Sequence, residues 1–143
     1  MAQNAEAYIQ ENTRFMQLDL AKDPLPMADI CCVRQVLQHL ANSEISAFMA
    51  AIHAQKPYRA LIVTEHISAS QPFAANKDKY SGRGTRVSLS SGIDLAQPPF
   101  SLKYLHKETL LELPEPCEGQ AAILRTTLYT FDSAFPTLSE KGE

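Results

Sequence analysis

Two short apolar runs with an amphipathic stretch between them constrain this chain more than any other feature. Ala28-Asp29-Ile30-Cys31-Cys32-Val33 and Arg59-Ala60-Leu61-Ile62-Val63-Thr64-Glu65 are apolar without alternation in their middles. That is the pattern of a strand covered on both faces, as in a parallel sheet. Between them Ile45, Phe48, Met49 and Ile52 recur at helical spacing, with Glu44 in the first turn, Asn42 as the expected N-cap and Lys56-Pro57 as the stop. Strand, helix and strand within about forty residues form a βαβ unit, which predicts a right-handed crossover and a parallel pair. Val33, Val36, Leu37 and Leu40 predict that the first strand runs into a short helical turn.

The flanks are read against that unit. Residues 3–12 read as the end of a helix, and Arg14–Leu20 alternates well enough to predict a strand, stopped by Lys22-Asp23-Pro24-Leu25-Pro26. Residues 67–107 show little periodicity and are punctuated by Gly82, Gly84, Gly92, Pro98 and Pro99. A segment that long inside a compact domain is expected to be functional or partly disordered. Thr109–Leu113 and Ala122–Phe131 then predict two strands of an antiparallel hairpin, joined through residues 114–120. Residues 133–143 are expected to fray.

Composition narrows the function classes. The chain has 143 residues, 45% apolar and 20% charged, which suits one ordinary soluble domain. A net charge of −3, with no dense Lys/Arg stretch, predicts no nucleic-acid partner. No run approaches the roughly 20 apolar residues of a membrane span, and residues 1–14 have no apolar leader core, so a cytoplasmic protein without a membrane partner is expected. Cys31 and Cys32 are neighbours that point to opposite faces of a strand, and neither they nor Cys117 has CxxC spacing. Free thiols are expected, and no metal, since the four histidines also lack ligand spacing.

Several stretches, in this order, resemble the second half of class I S-adenosylmethionine-dependent methyltransferases. Residues 15–29, Phe-Met-Gln-Leu-Asp-Leu-Ala-Lys-Asp-Pro-Leu-Pro-Met-Ala-Asp, are similar to that family's third strand, its acidic end and the DPLP-x-AD lead into the fourth. Residues 32–40, Cys-Val-Arg-Gln-Val-Leu-Gln-His-Leu, resemble the C-R-D-V-L-x-H-L segment of its bacterial small-molecule members. Residues 58–65 look like the fifth strand, and residues 92–102 like the PPF-N-L stretch before the final hairpin. The resemblance covers nearly the whole chain and implies an α/β fold, a partial Rossmann-like methyltransferase sheet of strands 3, 4, 5, 7 and 6 ending in an antiparallel hairpin. It makes residues 1–132 a truncated methyltransferase-like domain, with residues 67–107 as its acceptor-side loop region.

The same resemblance implies site roles. Asp19 corresponds to the residue near the adenine amino group of S-adenosylmethionine, where a carboxylate accepts a charge-assisted bond; as a plain turn residue it has the competing reading. Cys32, Val33 and Arg34 correspond to the crevice edge beside the methionine part of the cofactor, at the carboxyl ends of strands where ligands of open α/β sheets sit. Arg34 is equally well read as a partner of Asp29 or Glu65. His39, His66, Tyr80, Arg83 and Arg86 are candidates for holding a small-molecule acceptor, against packed or solvated roles for each. Two departures stand out: Gln35 replaces the family's Asp after Arg, and the chain has no E/D-x-G-x-G-x-G turn. Gly82-Arg83-Gly84 is no substitute, because it follows no predicted strand. Since strands 1 and 2 lie between strands 3 and 4 in the family order 3-2-1-4-5-7-6, the fourth strand becomes an edge. An apolar edge invites Arg14–Leu20 to pair there, or a second protomer, giving a homodimer. The competing reading of the whole chain is a non-catalytic α/β interaction module that dimerises or pairs with a separate N-terminal half.

Overall fold

The computed structural model describes residues 11–136. The chain is α/β, built on one four-stranded open sheet of mixed sense in the order β1-β2-β4-β3. β1 is Ala28–Arg34, β2 is Tyr58–Ser68, β3 is His106–Pro114 and β4 is Ala122–Thr130, while α1, Asn42–Gln55, connects β1 to β2. β1 and β2 are parallel neighbours, with Ile30 opposite Ala60 and Val33 opposite Val63. β4 lies antiparallel between β2 and β3. The β3–β4 register shifts between Thr109 and Leu111, so Leu110 is an extra residue that bends the outer strand.

Register decides which residues share a face. Val33, Val63 and Thr127 lie in one cross-strand row, and Leu61 and Tyr129 in the next row of the same face. The α1 stripe Ile45, Phe48, Met49 and Ile52 closes over that face, and all four side chains are buried. Each such burial stabilises by about 1.5–3 kcal/mol, which is why this weakly capped helix forms. Ala41, not Asn42, occupies the N-cap position. The Glu44 carboxylate accepts the Ala41 N–H at 3.3 Å, and the Asn42 side chain is drawn off to accept from Arg86 at 2.7 Å and to donate to the Asn76 carbonyl at 2.8 Å. The helix stops as the sequence predicts. Lys56 turns left-handed at φ 49°, its N–H bonds Ile52 O at 2.9 Å, and Pro57 follows.

Residues 67–107 differ from expectation. β2 extends to Ser68, β3 begins at His106, and the stretch between them is packed in spite of its low periodicity. Val87, Ile93, Leu95, Phe100 and Leu102 are buried, four of them in the same core as α1. This segment forms a second part of the layer over the helix-covered face, so its order comes from apolar anchors spaced irregularly. Asn76 ties it internally: its side chain donates to the Asp94 and Pro98 carbonyls at 2.8 and 3.0 Å and accepts the Asp94 N–H at 2.8 Å. Gly92 runs against β2, where an added Cβ would stand 2.8 Å from Ile67 Cγ2.

The strand expected at Arg14–Leu20 does not form. Residues 13–19 are without regular structure, and β1 is not paired with them. Phe15 and Met16 are exposed, while Leu18 and Leu20 pack on the core cluster. Asp19 and Asp23 then close a turn on each other, the Asp19 N–H bonding Asp23 Oδ2 at 2.7 Å. Alternation alone does not hold a strand; a partner edge must offer its ladder, and local Asx bonding competes with that offer here. The expected helix end at residues 3–12 lies almost wholly outside the described residues, as does most of the tail at 133–143. No helix among the described residues is long and apolar enough to cross a membrane.

Candidate functional site

The carboxyl ends of β1 and β2 meet the start of the chain's first turn. After Arg34, Gln35 adopts φ 53° and its N–H bonds Thr64 O at 2.8 Å, so the backbone folds over the end of β2. A 3₁₀ turn, Leu37–His39, follows. Glu65 holds that turn from below. Its carboxylate is 2% exposed and accepts the Leu37 and Gln38 N–H groups at 3.1 and 3.3 Å. Burial pushes its carboxyl up to about 8, against the pull of those N–H bonds and of the Arg86 charge.

Arg86 lies on the other side of the turn, buried to 1% exposure. Its guanidinium donates to the carbonyls of Lys77 at 2.8 Å, Gln38 at 3.4 Å and Leu40 at 2.8 Å, and to Asn42 Oδ1 at 2.7 Å. These bonds strap residues 77–86 to the 3₁₀ turn and to the start of α1. Arg86 is thereby committed to the protein's own oxygens, and a role in receiving an anionic acceptor is not what its surroundings provide.

Gln38 links two of the histidines. Its Oε1 accepts the His66 backbone N–H at 2.8 Å and lies 3.3 Å from His66 Nδ1, while its Nε2 lies 3.4 Å from His39 Nε2. His66 Nε2 meets Glu115 Oε2 at 3.1 Å, so the order Glu115, His66, Gln38, His39 runs across the ends of the strands. With Gln38 donating to its Nε2, the neutral His39 ring carries its proton on Nδ1. That Nδ1 is buried and has no hydrogen-bond partner among the described residues. An unpaired buried donor costs about 1–3 kcal/mol.

His39 also borders an open depression of about 540 Å³, lined by His39, Leu40, Ser81, Gly82 and Arg83. Of the residues assigned to an acceptor, His39 and Arg83 therefore come together. Tyr80 is adjacent in sequence but 96% exposed, and His66 reaches the group only through Gln38. On the cofactor side, Val33 points into the core, whereas Cys32 and Arg34 are exposed, and Arg34 makes no ion pair among the described residues. Asp19 is exposed in its own turn, where Oδ1 accepts the Ala21 N–H at 2.9 Å. None of these four lines the depression. The residues present do not enclose a site that fits a whole S-adenosylmethionine molecule. No protein family, curated protein or solved structure matches this chain.

Sequence reasoning missed Glu65 and Gln38 as the centre of the group. Glu65 carried a usable signal, since an acid directly after a continuous apolar strand is buried wherever the next turn folds back over it. Gln38 carried none, because its partners come from β2 and are distant in sequence. A further cavity, about 600 Å³, lies at the opposite end of the sheet.

Proposed function

We propose that this chain is a methyltransferase-like domain acting on a small molecule, incomplete as an isolated chain, and that it contributes the β1–β2 side of an S-adenosylmethionine crevice. The observation that carries the reading is the strand order β1-β2-β4-β3, with the first pair parallel and the last two pairs antiparallel. That is the order of the contiguous 4-5-7-6 block of the class I sheet which the sequence resembles. The parallel β1–β2 pairing supports the reading, because separated or antiparallel runs would have left no crevice. S-adenosylmethionine, when bound, would supply an activated methyl group, and this chain's residues would contribute by positioning the acceptor. A depression lined by His39 and Arg83 agrees with such a task.

Titration calorimetry with S-adenosylmethionine tests this. Saturable heat in the micromolar range, lost in the Arg34→Ala variant, supports it, and silence at millimolar ligand sinks it for the chain alone.

A second reading, a non-catalytic module that dimerises with another copy through β1, is favoured by one specific observation. β1 is a sheet edge whose Ile30 is 45% exposed, on the same face as half-exposed Leu111 and Leu113. Sedimentation equilibrium separates the readings, since a monomer at every accessible concentration removes this one.

A further inference from the structure

A cavity lies where the parallel strands begin, at the far end of the sheet from the Glu65–Gln38 group. It is about 600 Å³, within the range of roughly 300–1,000 Å³ typical of small-molecule sites. Four separate pieces of chain build it: the last turn of α1, the start of β2, the lead into β3 and the residues after β4. Two kinds of group line it. Lys56, Arg59 and Lys103 bring positive charge, and Asp132 is the single carboxylate among the lining residues. Asp132 is engaged by Arg59 Nε at 2.6 Å, which leaves the two lysines uncompensated within the lining. The other group is apolar and partly exposed. Tyr104 and Leu105 are 39% and 65% exposed, and Phe131 lines the cavity beside them. Tyr104 is held by an edge-on contact with buried Tyr129, with centroids 5.5 Å apart. His53 is fixed as well, its Nε2 accepting the Lys103 backbone N–H at 3.1 Å, so its free donor in the neutral ring is Nδ1.

We propose that this cavity is a second binding site, taking a small planar aromatic anion with one phosphate or carboxylate group. The ring lies against Tyr104 and Phe131, and the anionic group is drawn by Lys56 and Lys103. The physical case is the pairing of an exposed aromatic wall with unmatched ammonium charge. An apolar ligand alone would leave the lysines unused, and a bare anion would leave the tyrosine and leucine in water. The site is independent of the methyl-transfer reading, because it shares no residue with the strand ends at the other pole.

The test is amide chemical-shift titration of the whole chain with phenyl phosphate, inorganic phosphate and benzyl alcohol in parallel. Phenyl phosphate should saturate shifts at Lys103, Tyr104 and Asp132, binding at least tenfold more tightly than either control. The Lys56→Gln/Lys103→Gln double variant should weaken it about tenfold and Tyr104→Ala about fivefold. All three positions are exposed or partly exposed, so the variant spectra themselves report that the fold is intact. Equal binding of all three probes, an adventitious ion only, shifts centred elsewhere, or no saturable shift at millimolar phenyl phosphate would each overturn the assignment.

Discussion

β1 and β2 are parallel neighbours of similar apolar character, yet they live in different surroundings. In β2, Ala60, Leu61, Val63, Thr64, Glu65 and Ile67 are buried, because β1 and β4 flank it and α1 and residues 91–102 cover it. In β1 only Val33 is buried; Ile30 and Cys32 are exposed, and one edge has no strand beside it among the described residues. A run written as Ile-Cys-Cys-Val would be expected to be covered on both faces. The difference teaches that neighbours, and not composition, decide burial, and that β1 carries more apolar surface than the described residues cover. Both proposed readings draw on that surplus.

The largest test of the contrast is a matched pair of truncations. Leu61→Ala in β2 removes a fully buried side chain and is expected to cost about 2–5 kcal/mol, read as a lower urea midpoint at unchanged slope. Ile30→Ala in β1 should cost under about 1 kcal/mol, since nearly half of the side chain already meets solvent. Equal losses would mean that β1 is covered in solution by something else, and the contrast would fail.

Next in size is Gly92→Ala, which probes how tightly the long segment presses on β2. The new methyl would stand 2.8 Å from Ile67 Cγ2 and 3.0 Å from Ile67 Cα, closer than packed atoms tolerate. Relief requires moving the segment off the strand, at about 1–3 kcal/mol. A thermal midpoint within a degree of the parent would show that the segment is held loosely, contrary to its buried anchors.

The framework was legible in the sequence where periodicity and burial agree: the helix stripe from Ile45 to Ile52, its stop at Lys56-Pro57, and the parallel pair it connects. It failed at Arg14–Leu20, because alternation reports a willingness to form a strand and says nothing of whether an edge is offered. It also misjudged residues 67–107, whose anchors Val87, Ile93, Leu95, Phe100 and Leu102 follow no single period. The site was legible only in part. His39 and Arg83 share a depression, but Arg86, a candidate for holding the acceptor or for a solvated loop, is a buried strap. The Glu65–Gln38 contact joins residues 27 apart in sequence, and no local pattern encodes it.

Glu65 turns the contrast between the strands into a pH experiment. It stands in the second half of the buried strand, and burial raises its carboxyl from an ordinary 4.5 to about 8. Between those values the folded chain keeps the proton and the unfolded chain loses it, so the folded state binds more protons. Stability must therefore fall as pH rises through that window and level off above it. In Glu65→Gln this downward slope should disappear, although the amide accepts less well from Leu37 and Gln38 and lowers the starting stability at pH 5 by about 1–2 kcal/mol. Urea melts at intervals from pH 5 to pH 8.5 measure both effects. A parent profile that is flat or rises across the window would show that Glu65 is ionised in the folded chain and reached by water.

The smallest effect concerns the edge itself. Ile30→Lys places a charge on the exposed face of β1, where it has little to disturb within one chain, so stability should move by no more than about 0.5 kcal/mol. Its value is in association. If two copies pair through β1, a lysine on each strand brings like charges together across the new ladder, a device that natural edge strands use against such pairing. Sedimentation equilibrium should then show the parent as a dimer and the variant as a monomer, at least tenfold weaker in association. A parent dimer that survives the substitution unchanged would place the contact elsewhere, and the surplus apolar surface of β1 would need a partner other than this chain.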